Sequence, residues 1–248
     1  MTSEPPPKRT GNRVRALRPP DPGETPGAPD DIQDAYLKRA IAELGALNDE
    51  IAAWALHHGA STLPVLSSGA PQAEIVMIKW APGLAERQEG VAFFGRAGSA
   101  ILKSVQRLGV EPLALYGTLC VKLPEAGFQP QWLTRELQIV LPKLIMPMGA
   151  EALEAVNSLR FPGSAPLENR PGVVQNWTPT IEAIVVPDID ASLDEQAAKR
   201  AFWAAFRSLG FARPSNDPLR RRFALAIAVI VPLGFSLLPL SVMLGFVR

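Results

Sequence analysis

The chain has 248 residues, 47% of them hydrophobic and 25 of them proline. That length holds one domain of roughly 150–200 residues with tails, and so many prolines must collect in irregular segments. The formal charge of +1 hides an uneven spread: 1–30 carries five basic and four acidic groups, and 220–248 four basic and none acidic. That leaves 16 basic against 20 acidic groups in 31–219, a net −4. Such a middle lacks the positive footprint usual in a nucleic-acid binder, unless a local patch lies within it. Cys120 is the single cysteine, which excludes an intrachain disulfide and a four-thiolate cluster built within one chain.

The first 30 residues hold eight prolines and almost no large apolar side chains. They cannot bury enough surface to offset their ordering entropy and read as a disordered Pro-rich arm. Lys8, Arg9, Arg13, Arg15 and Arg18 fit an anionic surface or a solvating tail. The arm has no apolar core of the kind a signal peptide needs.

From 31 the pattern turns helical, with Leu37, Ala40, Ile41, Leu44, Leu47, Ile51 and Trp54 at three- and four-residue steps. His57-His58 at its end fit a helix-terminal role better than metal ligation, since no matching ligand spacing accompanies them. Four apolar runs follow, at 74–79, 113–121, 143–148 and 181–187. They alternate with helical patterns at about 97–109, 131–141, 150–159 and 193–209. Near-continuous apolar strands alternating with helices predict a three-layer α/β/α sandwich around a central parallel four-stranded sheet, over 31–212. Cys120, inside the second run, reads as a packed thiol rather than a reactive one.

A linker at 213–222 ends in Arg220-Arg221-Arg222, and the 25 residues of 223–247 carry no charge. As a helix this run reaches about 37 Å at about 1.5 Å per residue, against a hydrocarbon core of about 30 Å. It reads as a transmembrane helix, with the arginines marking a cytoplasmic flank for the α/β domain. It also fits a buried terminal hairpin, given Pro232, Gly234 and Pro239. The implied partner is a membrane, through 223–247.

The motifs that carry chemistry begin at Lys79-Trp80-Ala81-Pro82-Gly83 and continue at Val91-Ala92-Phe93-Phe94-Gly95-Arg96-Ala97-Gly98. A strand ends in a Pro-Gly turn, and small residues open a helix at the carboxyl edge of a parallel sheet, where α/β folds bind ligands. Further along stand Tyr116-Gly117-Thr118-Leu119-Cys120-Val121-Lys122, then Arg135-Glu136-Leu137, Pro142-Lys143-Leu144-Ile145 and Met148-Gly149. Val186-Pro187-Asp188-Ile189-Asp190-Ala191-Ser192 comes last. In order and spacing these segments resemble the uracil-DNA glycosylase superfamily, especially its iron–sulfur members. There the first motif reads Gly-Glu-(Ala/Gly)-Pro-Gly, followed by Pro-Phe-Val-Gly-(Arg/Lys)-Ala-Gly.

The resemblance implies an α/β/α fold and a pocket that takes a flipped base and hydrolyses its N-glycosidic bond. It places Trp80, Ala81, Pro82, Gly83, Phe93, Leu119 and Ser192 around that base pocket, with Phe93 as the aromatic platform. Trp80 stands where the family carries its acidic Glu, Leu119 where it carries the base-reading Asn, and Asp190 where it carries His. The cluster thiolates are replaced as well, by Leu123 and by Gln129 or Pro130, so no cofactor is expected. An indole cannot activate water, and leucine cannot read a base edge. An ionised Asp190 would repel the departing uracil anion that a histidine stabilises. The expectation is a catalytically degenerate domain that serves as a binding or regulatory module, with nucleic acid or a nucleobase-like ligand as partner. The alternative is an active hydrolase in which Asp188 or Asp190 is the catalytic acid or base. Both aspartates also fit solvated loop carboxylates before a helix N-capped by Ser192. The polar stretch 166–177 fits a loop beside the cleft or an ordinary packed connection.

Overall fold

The computed structural model describes residues 29–210. The chain groups into two units, Met1–Tyr36 and Leu37–Arg248. The described part of the first is the opening of α1 (Pro29–His57). Everything below concerns the second. The uncharged run 223–247 and the arm up to residue 28 lie outside the described residues, among which no helix is long and apolar enough to cross a membrane.

Three apolar runs form five-residue strands buried at every position: β2 (Ile75–Lys79), β3 (Leu115–Leu119) and β4 (Leu144–Met148). The shorter β6 (Glu182–Ile184) joins them in parallel, in the order β3-β2-β4-β6. The parallel core therefore has the four strands that the alternation of strand and helix predicts. The sheet is wider than that, however. A two-residue β1 (Ser68–Gly69) pairs antiparallel with β3, and β5 (Val174–Asn176) pairs antiparallel with β6, giving six strands in the order β1-β3-β2-β4-β6-β5. Neither edge carries an apolar run, because an edge strand exposed to water has no second layer to bury against.

Successive side chains of a strand point to opposite faces, and here the two faces hold separate cores. Ile75, Met77, Leu115, Leu119, Met146 and Val186 meet Ala97, Ile101 and Val105 of α3 (Arg96–Arg107). Phe202 and Phe206 of α7 (Gln196–Phe206) join them. Val76, Ile78, Tyr116, Cys120 and Ile145 meet α4 (Pro130–Val140) and α5 (Ala150–Ser158) on the other side. Three layers follow. Leu47 and Ile51 of α1 pack on Trp132 of α4.

The helix expected at 193–209 is two helices, α6 (Ile189–Asp194) and α7, separated by an extended Glu195 with φ −112° and ψ 125°. Burial of Ile189 in the core starts the first helix early, and the bend then turns Phe202, Ala205 and Phe206 inward. Asp188, not Ser192, is the N-cap, and its side chain accepts from the N–H of Asp190. The stretch 166–177 is mostly exposed and contains β5, and it is anchored by Leu167 and Trp177, which are buried in the core beside α4 and α5.

Candidate functional site

Lys79 is the last residue of β2, in register between Leu119 of β3 and Met148 of β4. Its side chain is 3% exposed, although it carries an ammonium group. A charge so far from water must be paired. Two carboxylates pair it, Oε2 of Glu86 and Oδ2 of Asp190, each 2.7 Å from Nζ.

The carboxylates differ in their ties. Glu86 lies in α2 (Leu84–Glu89), the short helix opened by the Pro82-Gly83 turn, and is itself buried. Beyond Lys79, its Oε2 accepts from the Gly83 N–H at 2.7 Å and its Oε1 from the Phe93 N–H at 2.5 Å. One carboxylate thus closes the turn, the helix N-terminus and the following loop around the ammonium. Asp190, in the first turn of α6, is 43% exposed at its side chain and forms the water-facing side of the group.

Phe93 has a left-handed backbone, φ 59°, which a bulky residue adopts only under constraint. Three constraints are present. Its N–H is held by Glu86. Its carbonyl oxygen lies where a Cβ on Gly98 would come within 1.8 Å, and its ring lies where a Cβ on Gly117 would come within 2.5 Å. Glycine at both positions lets α3 and β3 close directly onto the phenylalanine. The Nζ of Lys79 stands over the ring, 5.6 Å from its centroid.

Phe93, Leu119, Gly83 and Asp190 thus converge on Lys79, with Leu119 fully buried beside it. Trp80 is elsewhere: its ring packs against Phe128, 5.9 Å away, in the core of the α4 side. Ala81 and Pro82 carry the half-buried turn. Ser192 is buried with its hydroxyl donating to the Ile189 carbonyl at 2.7 Å, and Asp188 caps α6. The two aspartates are therefore joined through a cap on the backbone, while only Asp190 reaches the ammonium. Lys79 and Glu86 are the site residues that sequence reasoning passed over. The signal for Lys79 was present, since it occupies the glycine position of the first motif. Glu86 left none.

A family model for the uracil DNA glycosylase superfamily matches residues 66–215. The chain belongs to that superfamily. The type-4 uracil-DNA glycosylase of Sulfurisphaera tokodaii is 31% identical to it over 108 residues, which cover 39% of this chain and 49% of that protein. The chain thus spans about half the length of this curated relative.

Cys120 is 2% exposed, and burial pushes its thiol up to about 12, while Leu123 is fully enclosed in the fold. Among the described residues, no three His, Cys, Asp or Glu side chains are placed to hold a metal ion. His58 stacks on Trp54 with ring centroids 4.0 Å apart, and its Nδ1 lies 2.8 Å from the Trp54 carbonyl oxygen.

A second buried ion pair lies on the other face. Lys122 and Glu136 are each 1% exposed at the side chain and meet at 2.9 Å. Thr118 donates to Glu136 at 2.6 Å and Tyr116 at 3.2 Å, and Ser67 donates to it as well. Lys122 donates to Thr118 and Ser67, so each charged atom is satisfied. Burial, with the Glu136 charge, holds the Tyr116 hydroxyl well above its usual value. This network ties the end of β3 to α4 and has the closed bonding of a structural element.

Proposed function

We propose that this chain is a uracil-DNA glycosylase-fold domain whose base cleft no longer excises uracil and serves as a binding or regulatory module. One observation carries the reading: the ammonium of Lys79 stands among the counterparts of the family's aromatic platform, base-reading amide and histidine. In the family that position is a glycine, whose missing side chain leaves the space open. Here a long side chain fills it, and Glu86 and Asp190 supply the opposite charge that burial demands.

The same group argues against excision chemistry. With all three ionised, Lys79, Glu86 and Asp190 sum to one negative charge, which opposes a departing base anion. Trp80 is turned toward Phe128 and offers the cleft no acid. Asp188 caps α6, Asp190 and Asp194 lie on it, and Arg96 is committed to Asp194 at 2.8 Å.

An active hydrolase is the second reading, favoured by the half-exposed Asp190 beside an ammonium. Full-length protein incubated with single-stranded and duplex DNA containing uracil, followed by alkaline cleavage, separates the two. The lead reading expects no abasic sites from the wild type or from Asp190→Ala. Cleavage by the wild type that disappears in the variant establishes Asp190 as the catalytic group instead.

Membrane attachment through 223–247 belongs to the same proposal, supported by the uncharged run behind three arginines. Carbonate-washed membranes should retain the full chain and release a chain ending at 212. Retention of both removes the tether.

A further inference from the structure

We infer that the outer face of the layer formed by α3 and α7 is a cationic surface that lies against an anionic phospholipid bilayer. The inference rests on the proposed membrane attachment and names the side of the domain that meets the membrane. Both helices cover one face of the sheet, α3 through Ala97, Ile101 and Val105 and α7 through Phe202, Ala205 and Phe206. The side of each helix turned away from the sheet is basic. Arg96, Lys103 and Arg107 recur at seven- and four-residue steps, which sets them in one stripe of α3 opposite its buried residues. Arg200 and Arg207 stand seven residues apart on α7 and the turn that follows it, with Lys199 next to Arg200. All six are exposed, and neither helix contains an acidic residue.

This charge is not neutralised within the fold. Arg96 is tied to Asp194, but Lys103, Arg107, Lys199, Arg200 and Arg207 pair with no carboxylate among the described residues. The acids nearest along the chain are Asp190 and Asp194, both already paired, with Glu195 before α7 and Glu111 after α3. The opposite layer differs, since α4 and α5 carry Glu136, Glu151 and Glu154 against Arg135 alone. A basic residue close to an anionic leaflet gains about fivefold in partitioning.

The path of the chain brings this face to a membrane. The turn after α7 closes the described residues at Gly210, three positions past Arg207. Twelve residues, 211–222, separate it from the uncharged run, and they include Arg213 and Arg220-Arg221-Arg222. Even fully extended they reach only about 40 Å, so a bilayer that holds the run keeps the domain beside it. Between the cations of α7 the exposed residues are Ala197, Ala201 and Ala204, and α3 adds Leu102, 45% exposed. No exposed aromatic of either helix is available to stack on a base, which favours lipid headgroups over a nucleic acid.

The test uses full-length protein with vesicles of phosphatidylcholine, alone or mixed with phosphatidylserine. A dye on Ala204→Cys reports the basic face and a dye on Glu154→Cys the opposite layer, while the native Cys120 is buried and stays unlabelled. Energy transfer to an acceptor in the headgroups should be stronger from 204 than from 154 on phosphatidylserine vesicles. The difference should disappear on phosphatidylcholine alone, and also as salt shortens the screening length from about 8 Å to about 3 Å at 1 M. Lys103→Glu, Arg107→Glu and Arg200→Glu combined should abolish it, in a protein whose thermal melt matches the wild type. Equal transfer from both positions, a difference that persists on neutral vesicles, or one unchanged in the triple variant each overturns the inference. Binding of duplex DNA that the triple variant loses, without any lipid-dependent difference, assigns the face to nucleic acid and overturns it too. Retention after carbonate washing with equal transfer leaves the tether standing and removes this surface. Release by carbonate, with flotation only on phosphatidylserine vesicles and only in the wild type, removes the tether and leaves the surface.

Discussion

The Nζ of Lys79 and the Oδ2 of Asp190 meet 2.7 Å apart, one buried at the end of a central strand and the other half in water on a six-residue helix. The asymmetry in exposure predicts an asymmetry in energy. Lys79→Met leaves Glu86 buried without its cation and should cost about 3–5 kcal/mol. Asp190→Asn leaves Lys79 paired with Glu86, and a half-exposed partner is worth about 1 kcal/mol or less. Urea unfolding of both variants measures the difference, and equal losses would show that Asp190, not Glu86, is the main counter-charge.

The pair Lys122–Glu136 should behave differently, because both partners are equally enclosed. Lys122→Met and Glu136→Leu should each destabilise by about 3–5 kcal/mol, since each strands one buried charge. The double variant should lose less than the sum by at least about 1 kcal/mol, as a double-mutant cycle reads directly. Additive losses would mean that the hydroxyls of Ser67, Thr118 and Tyr116 matter more than the ion pair.

Alkaline pH should weaken the fold through Cys120 and Tyr116. Both have native values raised by burial, so the unfolded chain releases their protons first. Stability is full below about pH 9, near a free thiol, and falls as pH rises toward the native Cys120 value of about 12. Urea midpoints at pH 8, 9 and 10 should decline, and the decline should be shallower in Cys120→Ala. The wild-type thiol should resist alkylation at pH 8 until the protein is unfolded. A slope unchanged by the substitution would place the alkaline sensitivity elsewhere.

What could be read from the amino-acid order follows from what burial does to it. β2, β3 and β4 are apolar at nearly every position because both faces are covered, so they stand out from their neighbours. β1 and β5 are short and polar, and their pairing is a property of the neighbouring strand rather than of their own residues. The division into α6 and α7 at Glu195 has no proline or glycine to mark it. Ile189 of the first helix and Phe206 of the second both enter one core.

At the site, the motif resemblance located Phe93, Leu119 and Asp190, which do converge. It also led attention to Trp80, whose side chain goes to the opposite face because Lys79, one residue earlier, turns toward the cleft. Glu86 sits in an ordinary charged stretch, Ala85-Glu86-Arg87, and only the folded turn shows that its two oxygens hold two backbone amides and an ammonium.

The short antiparallel strands at the two sides of the sheet bear on how the protein behaves when crowded. An open sheet edge is a template on which another chain can add a strand, and long flat edges invite aggregation. Here the outermost strands are two and three residues long. The side-chain amide of Gln175 in β5 donates to the carbonyl of Glu168 and accepts from its N–H, which folds the preceding segment against that strand. Among the described residues, neither side of the sheet offers a run long enough to template ribbon growth.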